Sequence, residues 1–118
     1  MVKKLSELKN IDELQKILNS SNGTIVLKFG ATWCGPCKKI APMVYQHMDT
    51  LNDDVSFYDI DIDEFLDVYA YFKTKKMANG IPTMLAWYPE NKTLVPSLIC
   101  IGAKEQDVTY FLSKIVNP

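Results

Sequence analysis

The stretch Trp33-Cys34-Gly35-Pro36-Cys37-Lys38 constrains this chain more than any other, because it sets two thiols within reach of each other. Just upstream, Thr24-Ile25-Val26-Leu27-Lys28-Phe29 reads as a short buried strand. Just downstream, the residues from Lys38 to Tyr45 begin a helical pattern. A Cys-x-x-Cys pair at the junction of a strand and a helix, in an α/β chain, is the setting of a redox dithiol.

The remaining elements can be read in order. Val2 to Leu5 is a candidate first strand. Ile11, Leu14, Ile17 and Leu18 form a helical stripe, with Asn10 as its N-cap and Glu13 at the capping-box spacing. Ser20-Ser21-Asn22-Gly23 ends that helix. The strand over 24–29 and a helix over 37–49 follow, then a strand over 55–62 and a striped helix over 64–72. Thr83 to Tyr88, a turn at Pro89 to Lys92, and Leu94 to Ile101 read as a hairpin. Val108, Phe111, Leu112 and Ile115 mark a last helix. Alternation ending in a hairpin predicts a mixed sheet flanked by helices, in one domain spanning 1–118.

Composition excludes several function classes. A net charge of −1 supplies no general attraction to nucleic acid or to anionic lipid. No apolar run approaches the ~20 residues of a membrane span. The opening Met1 to Glu7 turns charged too early for a secretion signal, and 3 cysteines are too few for a secreted disulfide scaffold. A cytoplasmic, reducing compartment is therefore expected.

The Trp33 to Lys38 motif, Pro42 in the following helix, Gly80-Ile81-Pro82-Thr83, and Gly102-Ala103 before the last helix match the thioredoxin family in order and spacing. The chain resembles that family over essentially its whole length. The resemblance implies a central mixed sheet of five strands flanked by four helices. It also implies a thiol–disulfide oxidoreductase that reduces protein disulfides. Electrons would come from NADPH through a partner flavoprotein similar to thioredoxin reductase. No Gly-rich phosphate fingerprint occurs here, so nicotinamide and flavin belong to that partner. The expected protein is a monomer that binds no cofactor and no metal.

Disulfide exchange needs a thiolate to attack and a second thiol to release the mixed disulfide. Cys34 belongs at the first turn of the helix, where unpaired N–H groups favour an anion, and Lys38 adds a positive charge nearby. Cys37, one turn on and less exposed, is the resolving thiol. Pro36 suits a helix start, and Gly35 admits a substrate backbone. By resemblance, the Ile81-Pro82 peptide is cis and turns the Ile81 backbone toward an extended substrate segment. Trp33, Gly35, Pro36, Ile81, Pro82, Gly102 and Ala103 would then make an apolar docking patch. The plainer alternative leaves Pro82 simply starting a strand.

The chain departs from the family's pattern at one charged pair. The family usually carries a buried Asp in the strand before the motif and a Lys on the neighbouring strand. Here those places hold Lys28 and Asp59. An ion pair between them beneath Cys37 is expected, with Asp59 as proton acceptor and Lys28 favouring thiolate. The alternative lets Lys28 reach out to water. Gly30 leaves a less aromatic floor than many relatives have.

Other signals are weaker. Two reactive elsewhere-placed groups, Cys100 and His47, are the only soft ligands that could complete a zinc site with the pair, and they stand apart in sequence. Asp59, Asp61, Asp63 and Glu64 start like a calcium loop, but Glu64 and Ala70 occupy the positions that need Gly and Glu. Lys73, Lys75 and Lys76 read as a solvated cluster, and Cys100 as a small buried hydrophobe. Rival readings are a redox-inactive binding or chaperone subunit and a disulfide oxidase or isomerase.

Overall fold

In the computed structural model, residues 2–116 are described. They alternate strands and helices: β1 (Lys3–Leu5), α1 (Ile11–Ser20), β2 (Thr24–Gly30), α2 (Gly35–Asp49), β3 (Val55–Asp61), α3 (Leu66–Thr74), β4 (Thr83–Trp87), β5 (Leu98–Ile101) and α4 (Glu105–Lys114). The strands form one mixed sheet in the order β1-β3-β2-β4-β5. β3 runs parallel to both β1 and β2, whereas β4 is antiparallel to β2 and to β5.

β2 lies at the centre, and all seven of its residues are buried. Its side chains alternate between two cores, as a strand's must. Ile25, Leu27 and Phe29 pack with Leu14 and Leu18 of α1 and with Val68 and Phe72 of α3. Val26 packs on the other face with Ile40, Val44 and Met48 of α2 and with Val108, Phe111 and Leu112 of α4. Each such side chain contributes roughly 1.5–3 kcal/mol by leaving water. Lys28 has the strand parity of Val26, which aims it at the α2 side.

Several element limits differ from expectation for local reasons. α2 starts at Gly35, with Pro36 in its first turn, and continues through Pro42 to Asp49. α3 starts at Leu66, because the amides of Glu64 and Phe65 turn back to the Asp61 carbonyl and the Asp63 amide to the Asp61 carboxylate. The last strand begins at Leu98 and not at Leu94. Its expected first half is occupied by turns: the Asn91 amide side chain donates to the Val95 carbonyl, and Pro96 has no N–H for a ladder. α1 begins as expected, with the Asn10 side chain accepting the Glu13 amide at 2.9 Å.

Candidate active site

Cys34 is the N-cap of α2, and its sulfur accepts the Cys37 amide at 3.1 Å. The two cysteines are joined in a disulfide, with their Cα atoms 5.3 Å apart. Once reduced, a Cys34 thiolate at this place faces the unpaired amides and positive end of α2, both of which favour negative charge. The expected difference in exposure is absent: both cysteines are only 4% exposed. In the bonded state the Cys34 sulfur is turned into the fold, toward the Cys37 amide and, at 3.9 Å, the Ile81 carbonyl.

That carbonyl belongs to the facing loop, where the Ile81-Pro82 peptide is cis. The loop is tied at three points. The Tyr69 hydroxyl of α3 accepts the Gly80 amide at 2.9 Å, and the Thr83 hydroxyl donates to the Gly80 carbonyl at 2.8 Å. The Gly102 amide donates to the Pro82 carbonyl at 2.8 Å, which brings the Gly102-Ala103 corner alongside. Gly80 and Gly102 have φ of 84° and 94°, values that glycine adopts without a Cβ clash.

Around the disulfide, Gly35 and Pro36 are exposed, Ile81, Gly102 and Ala103 are half-buried, and the Pro82 ring is buried. Trp33 is 65% exposed, yet its indole N–H donates to the Asp63 carboxylate at 2.7 Å. Sequence reasoning met Asp63 only in the calcium-loop pattern it set aside and missed it as the partner of Trp33. No local signal marks it; the residue reaches Trp33 because β3 carries the chain past the end of β2.

On the inner side of the disulfide, Lys28 and Asp59 face each other in the β2–β3 register, with the ammonium 3.4 Å from the carboxylate. Lys28 is 4% exposed, so its side chain does not reach out to water. Its ammonium also lies 5.7 Å from the centre of the Tyr45 ring. The Tyr45 hydroxyl donates to the other Asp59 oxygen. Burial, then the hydrogen bond and charge of Asp59, push that hydroxyl well above the usual tyrosine range. Tyr45 was also missed, although Cys37, Ala41 and Tyr45 recur at four-residue intervals and so share one helix face.

These groups line a cavity of about 250 Å³ that also touches Gly30, Cys37 and the exposed Lys38. Elsewhere, Cys100 is buried in β5, where burial, then the Asp107 charge, push its thiol up to about 11. His47 is half-buried, and Lys73, Lys75 and Lys76 are exposed. Among the described residues, no cluster of three His, Cys, Asp or Glu side chains is placed to hold a metal.

The thioredoxin family model matches residues 6–112. The chain belongs to the thioredoxin family. Thioredoxin-2 of Saccharomyces cerevisiae is 37% identical over 81 residues, covering 69% of this chain and 73% of that protein. Thioredoxin H2 of Arabidopsis thaliana is 40% identical over 98 residues, covering 83% of this chain and 67% of that protein. Among solved structures, thioredoxin NaTrxh from Nicotiana alata superposes with a TM-score of 0.72 at 28% identity, covering 98% of this chain and 95% of that one. The sheet order and four flanking helices are thus a thioredoxin fold. With its bonded Cys34–Cys37 pair, this thioredoxin-family chain is a thiol–disulfide oxidoreductase, a protein-disulfide reductase in type. No described helix is long and apolar enough to cross a membrane.

Proposed function

We propose that the chain reduces disulfides of protein substrates and is itself reduced by NADPH through a partner flavoprotein of the thioredoxin-reductase kind. It works as a monomer in the cytoplasm. The observation carrying this reading is the Cys34–Cys37 disulfide at the N-terminus of α2.

In the reaction, the Cys34 thiolate attacks one sulfur of the substrate disulfide. A Cys34–substrate disulfide forms and one substrate thiolate leaves. Cys37 loses its proton and attacks the Cys34 sulfur, which expels the second substrate thiolate and closes the Cys34–Cys37 bond. Two electrons have passed to the substrate, whose two thiolates take up protons from solvent. The exposed Trp33, Gly35 and Pro36, with Ile81, Gly102 and Ala103 beside them, support docking of an extended substrate segment against the loop before β4. A single disulfide and a buried free Cys100 fit a reducing compartment.

Insulin reduction under dithiothreitol tests the core of the reading. The parent should speed the turbidity well beyond dithiothreitol alone, and Cys34→Ser should return it to that background. Cys37→Ser should instead collect substrates as mixed disulfides. A parent no faster than dithiothreitol would end the reductase reading. Electron supply is tested separately, by NADPH oxidation in the presence of a thioredoxin reductase and insulin.

A further inference from the structure

The two edges of the sheet differ in charge. β1 is one edge, and its Lys3 and Lys4 are exposed. Lysines on an edge oppose the approach of a second strand, a common guard against unwanted pairing. β5 is the other edge, and its four residues, Leu98-Ile99-Cys100-Ile101, carry no charge. Ile99 and Ile101 are 45% and 42% exposed. Pro96 and Gly102 flank this strand without interrupting it.

The backbone of β5 is as open as these side chains. The Gly102 amide donates to the Pro82 carbonyl, and the β4–β5 register sets Met84 opposite Cys100 and Ala86 opposite Leu98. Bonded pairs alternate along an antiparallel ladder. Gly102, Cys100 and Leu98 therefore face β4, and the N–H and C=O groups of Ile99 and Ile101 point away from the sheet. Beside this edge, β5 and α4 border a groove of about 510 Å³, with the exposed Tyr110 on its α4 wall. Lys104 and Asp107 line the same groove. A second copy of this chain thus meets a charge of either sign there, and the two groove charges cancel instead of opposing its approach.

We propose that the β5 edge is a self-association surface, on which a second copy of this chain adds its own β5 antiparallel. The pair is two-fold. Ile99 of each copy lies opposite Ile101 of the other and exchanges both backbone bonds with it, and Cys100 lies at the axis. This register satisfies the outward groups of Ile99 and Ile101 with the same groups of the other copy. It also sets two β-branched side chains against each other across the strands, a contact that favours sheet pairing. Two-fold pairing closes on itself, because each copy offers one β5 and the lysine-bearing edge stays free. Three exposed apolar side chains on each copy fall far short of the roughly 20–30 residues a side of a standard interface. The dimer is therefore weak, with a Kd on the order of 0.1–1 mM. The dilute chain stays the monomer of the proposed reaction, and the pairing does not depend on the dithiol chemistry.

Sedimentation equilibrium under dithiothreitol, from about 10 µM to about 2 mM, measures the association free of intermolecular disulfides. The parent mass should rise from monomer toward dimer and no further. Ile99→Lys puts a charge at an exposed position outside the docking patch, so the dilute variant should fold and reduce insulin at the parent rate. Its association should weaken at least about tenfold, as expected of a guarded edge. Amide exchange followed by NMR locates the contact. The Ile99 and Ile101 amides should exchange about twofold or more slower at the upper concentration than at about 0.1 mM, because pairing takes them out of water. A parent that remains monomeric at the upper concentration would overturn the proposal. So would association that Ile99→Lys leaves intact, or growth beyond the dimer. Slowed exchange that needs added S-carboxymethylated insulin B chain, and not a higher protein concentration, would give the edge to an extended client and overturn it as well.

Discussion

Cys34 caps α2 through its sulfur and, in the proposed reaction, also attacks substrate; a single substitution separates the two. Serine is among the best N-caps. Cys34→Ser should therefore abolish insulin reduction while leaving reduced-state stability within about 0.5 kcal/mol of the reduced parent. Urea unfolding of both proteins under dithiothreitol checks this; a loss of several times that size would mean the cysteine is needed structurally. Trp33 has a comparable dependence on one partner, as its exposed ring is oriented by Asp63. Asp63→Ala should raise KM for insulin two- to tenfold with little change in kcat, as expected for a lost hydrogen bond of about 0.5–1.5 kcal/mol. An unaltered KM would show that Trp33 needs no such support. The cysteine pair was legible from its spacing alone. Asp63 was not, because its bond to Trp33 spans 30 residues that only β3 brings back.

At the scale of elements, α1 shows how a local signal becomes a stable helix. Asn10 caps its amides, and Leu14 and Leu18 on one face are buried against β2. Asn10→Ala should cost about 1 kcal/mol in urea unfolding, from the loss of one cap bond; a neutral result would assign the helix start to packing alone. α1, β2, β3, β4 and α4 were legible because each has a clean apolar period between turn residues. The second half of the terminal hairpin was not. Val95 and Leu94 look like strand residues, but Pro96 cannot join a ladder and Asn91 gathers the segment into turns. The start of α3 was displaced for a similar reason, since Asp61 and Asp63 compete for amides that a helix would otherwise use.

For the molecule as a whole, acids raised by the fold link stability to alkaline pH, and the buried Cys100 and half-buried Tyr45 shift furthest. The Cys100 thiol, ordinarily near 9.0, is pushed up to about 11 in the fold by burial and then by Asp107. The unfolded chain therefore sheds that proton first. This contribution is complete below pH 9 and is lost as pH rises toward 11. Tyr45, also raised, extends the loss above its ordinary 10.0. The parent should lose stability from about pH 9 upward, by at most ~1.4 kcal/mol per pH unit for each group. Cys100→Ala should flatten the first part of that curve in urea midpoints taken at successive pH values. A slope between pH 9 and 10 shared by both proteins would remove Cys100 as its source.

Residue order alone determined the dithiol, the glycine and proline punctuation around Ile81-Pro82, and the α/β alternation, because each of these signals lies within a few neighbouring residues. It also placed Lys28 opposite Asp59, once the resemblance aligned the two strands. Tertiary structure alone decided that Lys28 is shut away from water, that Tyr45 reaches across 14 residues to hold Asp59, and that Gly30 leaves the ammonium and the Cys37 sulfur facing one space. The reason is physical. Burial and the direction of a side chain follow from how a helix settles on a sheet, and that depends on every apolar contact between them rather than on any one stretch of chain.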